Sequence, residues 1–363
     1  MILDVELIKK LVLNDLNDKS DNQISVTYEM LKKIDVIDNK VDIELQIGFP
    51  AQSKHEMLSS EIARLIKSID ASYETEVKIT TNISSHSAEG NTQLISGVKN
   101  IVAIASGKGG VGKSTTTVNL ALALSSEGAN VGILDADIYG PSIPTMLGIK
   151  GKPESLDGQK FLPMLGHNLQ ANSIGFLVPK DQAMVWRGPM VTQALDQLLR
   201  QTAWDNLDYL LIDMPPGTGD IHLTLAQKVP LTGAIIVTTP QEIAVLDARK
   251  GLKMFEKVSV PIIGVIENMG VYVCPKCENT EHLFGQGGGE SLCEEYSTHF
   301  LGSLPLNTNI RKDADSGNPT VIASPDSLIA GIYKKIALDL GLQISKMHKN
   351  LKSKFPKIII KNE

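Results

Sequence analysis

Cysteine is scarce in this chain, with three in 363 residues. So few exclude a disulfide framework and suit a reducing compartment, where a close pair reads as metal or redox chemistry. Aromatic residues make up 4%, too little for a surface that stacks single-stranded nucleic acid. Neither sign of charge dominates: the net charge is −6, and nothing global marks a nucleic-acid binder. No run of about 18 uncharged apolar residues occurs, so no membrane span is expected. The opening segment "MILDVELIKKLVLNDLNDKSD" carries acids within its apolar part and lacks a small-residue cleavage site. That is not the pattern of a signal peptide. No internal repeat is visible. A cytoplasmic protein without nucleic-acid partners is the expectation. What is present is ordinary: 42% hydrophobic and 21% charged residues, enough to bury a sizeable core in two domains or three small ones.

The pattern changes along the chain. Residues 2–16 space Leu, Ile and Val as a helix does, and residues 53–69 read as an amphipathic helix. "VDIELQI" alternates without fault, with Val41, Ile43, Leu45 and Ile47 on one face and Asp42, Glu44 and Gln46 on the other. This predicts a half-buried strand, with "IDVIDNK" as its hairpin partner and "TEVKITTNI" as a third strand. Residues 1–84 thus read as a small α+β domain. Residues 85–97, rich in Ser, Gly and Asn, read as a linker. From residue 98 to 343 come short Val- and Ile-rich runs: "IVAIAS", "NVGILDAD", "LDYLLIDMP", "GAIIVTT" and "PIIGVIEN". Strands apolar on both faces imply a mostly parallel α/β sheet with helices on both sides. Residues 344–363 hold six lysines and read as a solvated basic tail. Ile344, Met347, Leu351 and Phe355 could also line an amphipathic helix that touches anionic lipid or a partner.

"SGKGGVGKST" (residues 106–115) follows one such strand and opens a helical stretch. It fits the P-loop pattern G-x-x-x-x-G-K-[ST]. In such a loop, Gly107, Lys108, Gly109, Gly110, Val111 and Gly112 wrap the phosphates of ATP with inward backbone N–H groups, continuing through Thr115, and the helix N-terminus adds its dipole. Lys113 reaches the β- and γ-phosphates, and the Ser114 hydroxyl binds Mg²⁺. The lysine inside the loop, Lys108, resembles that of the deviant Walker A loop in the MinD/ParA/nitrogenase-iron-protein class. There such a lysine crosses a dimer interface to the partner's phosphates, supplying charge in trans.

Carboxylates close the strands that face this loop. Asp213 in "IDMPPGTGD" fits a Walker B acid holding Mg²⁺ through its water shell. Gly217 is placed to donate its N–H to a γ-phosphate. Asp137 is the candidate for orienting the attacking water, with Asp135 in support; the competing reading is that both merely cap helices. Asn268 closes "IEN". In the same ATPase class an asparagine there contacts adenine, and Pro305 and Leu306 would wall the base.

The motifs "KGGVGKST", "DADIYGPS", "WRGPM", "IDMPPGTGD", "ENM", "VCPKC" and "FGQGGG" run in one order from about Val98 to Ile336. The chain resembles the Mrp/ApbC family of iron–sulfur cluster carrier ATPases. The first domain resembles the SufT/PaaD type often fused to bacterial members. Relatives of that domain often carry a cysteine beside the proline that follows the alternating strand. "GFPAQSKHEM" has Pro50 but no cysteine, so docking is the expected role there.

Cys274 and Cys277 form a C-x-x-C pair, half of a four-ligand site. Cys293 lies in "GGESLCEEY" and reads as core filler, and C-x₄-H to His282 does not complete a zinc site. Symmetry offers a solution: a twofold axis brings two pairs together as Cys₄ in a homodimer. The resemblance implies the occupant, a labile [4Fe–4S] cluster bridging two chains, received from an assembly scaffold and passed to apo iron–sulfur proteins. Zinc across the same interface, a thiol–disulfide pair and an ion-free knuckle stay open. The rival function is a MinD/ParA-like spatial switch that binds membrane through the tail.

Overall fold

The computed structural model describes residues 4–14, 24, 26–86, 93–155, 158–178, 188–274, 276–277 and 279–347. The chain divides between Ile83 and Ser84 into two compact units.

The first unit contains α1 (Val5–Asn14), β1 (Leu31–Ile37), β2 (Lys40–Ile47), α2 (His55–Ile69) and β3 (Glu74–Thr81). β1 and β2 form an antiparallel hairpin, and β3 adds to β2 in parallel. The alternation in β2 is realised: Val41, Ile43, Leu45 and Ile47 are at most 2% exposed. Each such burial stabilises by about 1.5–3 kcal/mol. Leu58, Ile62, Leu65 and Ile66 of α2 are buried, at the helical spacing the sequence shows.

The second unit runs β4 (Val98–Ala105), α3 (Lys113–Ser126), β5 (Val131–Asp135), α4 (Ile143–Met146), β6 (Met164–Gly166), β7 (Leu169–Ser173), α5 (Gly188–Arg200), β8 (Leu207–Asp213), α6 (Asp220–Lys228), β9 (Gly233–Thr238), α7 (Glu242–Lys257), β10 (Ile262–Val273), β11 (Thr280–Glu281), α8 (Gly288–Tyr296), β12 (Phe300–Leu306), α9 (Thr308–Asp315), α10 (Thr320–Ala323) and α11 (Leu328–Ser345). Its sheet has nine strands in the order β11-β10-β9-β4-β8-β5-β7-β6, with β12 on the other side of β10. Every described pairing from β12 and β10 through β7 is parallel; β6 and β11 are antiparallel additions. Every residue of β5, β8 and β9 is buried. Strands wet on neither face need helices on both, and that is why they read as unbroken apolar runs.

Two boundaries differ from the sequence reading. Ser85 and His86 are anchored to β4: the Ser85 hydroxyl donates to the Lys99 carbonyl at 2.8 Å, and the His86 N–H donates to Asn100 Oδ1 at 2.9 Å. These residues are fixed to the sheet rather than part of a free linker. At the other end α11 runs through residue 344, and Ile344 is 1% exposed. The apolar face of that helix continues past residue 343, so Ile344 serves the core and not a tail. Leu351 and Phe355 lie outside the described residues, as do Trp186 and Arg187 of "WRGPM". Among the described residues no helix is long and apolar enough to cross a membrane.

Candidate functional site

Parallel strands deliver their carboxyl ends to one edge of the sheet, and the sequence motifs collect there. β4 ends at Ala105, and the loop from Ser106 returns into α3 at Lys113. Gly112 caps α3 in the left-handed region, with φ +81°. A Cβ on it would stand 2.2 Å from Asn268 Nδ2, so glycine is required on both counts. A Cβ on Gly107 would strike the Asp247 backbone of α7 at 2.2 Å. The loop is therefore wedged between β10 and α7 by residues without side chains.

The Lys113 ammonium donates to Asp213 Oδ1 at 2.7 Å, and the Ser114 hydroxyl donates to Asp213 Oδ2 at 2.6 Å. Lys113 is 6% exposed and Asp213 0%. Thr117, one turn into α3, donates its hydroxyl to Asp213 Oδ1 at 2.9 Å. Sequence reasoning missed Thr117; its signal was the helical spacing from Lys113 within "KSTTT". Hydroxyl and carboxylate oxygens converge here, a donor set that suits a hard cation such as Mg²⁺. Lys113 thus stands on Asp213 in a buried ion pair.

Lys108 is half-buried at the loop's outer turn, and its carbonyl accepts the Ser106 hydroxyl at 2.9 Å. Among the described residues its ammonium forms no ion pair. Gly109 and Gly110 are exposed, Val111 is buried, and Thr115 is half-buried on the first turn of α3.

Asp135 and Asp213 are register partners on β5 and β8. Burial first, and then the charge of Asp213, push the Asp135 carboxyl up to about 7. Its oxygens are already committed. Oδ1 accepts the Asp137 N–H at 3.2 Å, and Oδ2 accepts the Ser173 hydroxyl at 3.0 Å and the Ser142 and Ile143 N–H groups at 3.1 and 3.2 Å. The structure corrects the support expected of Asp135 for an attacking water: it organises the start of α4. Asp137 is half-buried, with Oδ1 accepting the Gly140 N–H at 3.2 Å. Burial raises its carboxyl, and the nearby Lys113 charge opposes that rise.

Gly217 is held by a backbone bond. With φ +101° it turns its N–H onto the Ser106 carbonyl at 3.0 Å, not into the space before the P-loop. His222, which the sequence reading passed over, sits beneath it. Its Nε2 lies 2.7 Å from the Pro215 carbonyl, which only accepts, so Nε2 carries the proton. Burial lowers the His222 pKa, and the ring packs neutral under the Asp213–Gly219 loop.

Asn268 lies on β10 beside the phosphate loop and donates Nδ2 to the Val111 carbonyl at 2.8 Å. Its Oδ1 accepts the Met269 N–H at 3.0 Å. One amide hydrogen and one lone pair remain for a purine edge. Pro305 and Leu306 pair in register with Val271 and Tyr272, on the approach to the thiols.

β10 and β11 form a hairpin through Tyr272↔Glu281 and Val273↔Thr280. The C-x-x-C pair occupies its turn, closed by the Cys274 N–H on the Asn279 carbonyl at 2.9 Å. Cys274 is half-buried and Cys277 exposed, and both are free thiols. The Lys276 and Cys277 N–H groups point at the Cys274 sulfur and hold its thiol below the usual range; a thiolate stabilised this way is a ready metal ligand. His282 Nδ1 donates to the Gly270 carbonyl at 2.8 Å. Among the described residues no group of three or more His, Cys, Asp or Glu side chains is arranged to hold a metal ion. Cys293 on α8 is 6% exposed, and burial pushes its thiol up to about 11, as core filler should be.

Comparison with known proteins gives a consistent picture. The Escherichia coli K12 "Iron-sulfur cluster carrier protein" is 51% identical over 319 residues, covering 88% of this chain and 86% of that protein. The Dictyostelium discoideum "Iron-sulfur cluster transfer protein NUBPL" is 46% identical over 288 residues, 77% of this chain and 89% of that one. Among solved structures, a nucleotide-binding protein from Archaeoglobus fulgidus in complex with ADP, with Co found by PIXE, superposes with a TM-score of 0.56. It is 37% identical and covers 63% of this chain and 90% of that one. The Pyrococcus furiosus cell division ATPase MinD shares the fold, with a TM-score of 0.50 over 66% of this chain and 98% of that one at 23% identity. The ParA profile described as NUBPL iron-transfer P-loop NTPase matches residues 97–340, and the chain belongs to that family.

Proposed function

We propose that this chain is a cytoplasmic ATPase that carries a labile iron–sulfur cluster as cargo between two copies of itself and passes it to apo iron–sulfur proteins. The observation that carries the reading is the hairpin at Cys274 and Cys277. It presents two accessible thiols and no third ligand among the described residues. A [4Fe–4S] cluster takes four thiolates, and a second copy supplies the missing two. An interface site opens easily, which suits cargo more than a resident cofactor.

The nucleotide half follows from the P-loop. Backbone N–H groups of Gly107 to Thr115 cradle the ATP phosphates, and Lys113 leaves Asp213 to meet them. Ser114 and Asp213 would hold Mg²⁺, which when bound neutralises charge on the β- and γ-phosphate oxygens. Lys108, at the outer turn and without an ion pair among the described residues, reaches the partner's phosphates. Asp137 orients the attacking water; its half-exposed carboxylate near Lys113 carries fewer bonds than that of Asp135. Gly217 must exchange the Ser106 carbonyl for the γ-phosphate, which makes the Asp213–Gly219 loop the element that reports nucleotide state. Asn268 meets the adenine edge with its remaining N–H and lone pair.

The test is the double substitution Cys274→Ala and Cys277→Ala in the full chain, after anaerobic reconstitution with iron and sulfide. The expected outcome is lost iron and sulfide and lost cluster transfer to an apo-ferredoxin, with the ATPase fold retained. A doubly substituted chain that keeps its iron overturns the reading, and so does a parent that binds zinc but no iron.

A further inference from the structure

The phosphate loop and the thiols meet a single strand, the loop at its middle and the thiols just beyond its end. Asn268 on β10 is bonded to the phosphate loop through Val111, and Cys274 lies six residues further on, at most about 20 Å away along the strand. Between them β10 is irregular. From Glu267 to Val271 it advances four residues while β12 advances two, from Ser303 to Pro305. Two residues are thus looped out of the ladder as a bulge. Met269 within it has φ +61°, a left-handed conformation rare for a residue with a long side chain. Such a residue persists only where its surroundings hold it.

The holding contacts lie on both sides. Upstream, the Asn268 side chain grips Val111 and accepts the N–H of Met269 itself. Downstream, Gly270 fits against Ser303 and Glu267: a Cβ there would stand 2.1 Å from Ser303 Oγ and 2.8 Å from Glu267 Oε1. Glu267, 4% exposed, accepts the Gly289 N–H at 2.8 Å and the Ser303 hydroxyl at 3.3 Å. The Gly270 carbonyl accepts His282 Nδ1 from the return side of the cysteine hairpin. Movement of Asn268 therefore reaches the base of the hairpin through two residues and one hydrogen bond. The remaining route is the strand itself.

We propose that the Asn268–Gly270 bulge, braced by His282, is the joint through which nucleotide at the phosphate loop alters the setting of Cys274 and Cys277 within one chain. His282 is a positioning residue here: it acts through the Gly270 carbonyl and not as a ligand. A base that takes the remaining N–H and lone pair of the Asn268 amide turns that amide on Val111, and the left-handed Met269 is the residue whose setting shifts with it. The proposal rests on the carrier reading for its purpose but not for its test.

The test uses the full-length, metal-free chain and follows iodoacetamide alkylation of Cys274 and Cys277 by mass spectrometry, with and without saturating Mg·ADP or a non-hydrolysable ATP analogue. In the parent, the alkylation rate is expected to differ about fivefold or more between nucleotide-free and nucleotide-bound chains, the low end of ordinary site-to-site coupling. His282→Ala is expected to keep ADP affinity and lose that ratio. His282→Asn, whose amide can replace Nδ1 as donor, restores it. Asn268→Ala, measured at saturating nucleotide, also brings the ratio to about one. A parent rate indifferent to nucleotide overturns the proposal, as does a ratio that survives both alanine substitutions or one that His282→Asn fails to restore. A chain that shows the ratio but takes up no iron instead refutes the carrier reading alone.

Discussion

The buried Lys113–Asp213 pair gives the sharpest quantitative expectation. Replacing Lys113 with Met strands the Asp213 carboxylate at 0% exposure. Removing one partner of a buried pair costs about 3–5 kcal/mol. Asp213 keeps the Ser114 and Thr117 hydroxyls, which puts the loss near the lower end, about 3 kcal/mol. At about 2–4 °C per kcal/mol for a domain of this size, the melting temperature should fall by roughly 6–12 °C. The assay is calorimetry of the full chain without nucleotide and with chelator, following the transition of the second unit. Adding Asp213→Asn to Lys113→Met removes the stranded charge and should recover most of the loss. Asp213→Asn alone leaves the Lys113 ammonium unpaired and should be costly too. The two single losses should therefore exceed the double loss, the mark of direct coupling. If Lys113→Met melts within about 1 °C of the parent, the ammonium does not rest on Asp213 before nucleotide arrives, and the argument that it must leave that partner fails.

Two further outcomes follow from single residues. Gly112→Ala forces a Cβ into the Asn268 amide at a φ of +81°; ADP binding, read by titration calorimetry, should be lost, and an unchanged affinity would show that the loop tolerates what its geometry forbids. Cys293 has a thiol raised to about 11 by burial, so its thiolate grows only as pH climbs toward that value, and at pH 8 roughly one thiol in a thousand is ionised. Native alkylation at pH 8 should label Cys274 and Cys277 and spare Cys293, with all three labelled in guanidinium; rapid native labelling of Cys293 would contradict its burial.

What the sequence disclosed depended on how far apart the interacting residues lie. The alternation at Val41–Ile47 and the unbroken runs that became β5, β8 and β9 carry their burial in the local pattern, so the mostly parallel sheet was legible. The P-loop was legible because one loop supplies nearly every group. Asp135 was not: its partners Ser142, Ile143 and Ser173 come from later elements, and no local pattern separates a capping acid from a catalytic one. The bond that holds Gly217 was not legible, because the motif omits Ser106, whose carbonyl accepts its N–H across the strand ends. The His282–Gly270 brace appears only once the hairpin brings position 282 back beside position 270. Ile344 was assigned to a tail because the lysines that follow it outweighed one apolar position, whereas α11 packs that position into the core.

The carboxylate of Glu267 has a consequence for the order of synthesis. Its two partners, Gly289 and Ser303, emerge 22 and 36 residues after it, and β12, which flanks β10, emerges with the second. A chain that folds as it is made, N-terminal parts first, therefore displays Cys274 and Cys277 before the scaffold that steadies their strand exists. The phosphate loop, β4 and the α7 and β10 residues that wedge the loop have emerged by then. Nucleotide can be met early, while the thiols gain their fixed setting only when α8 and β12 close over Glu267. The newborn protein thus passes through an interval in which its most reactive sulfur atoms are its least supported.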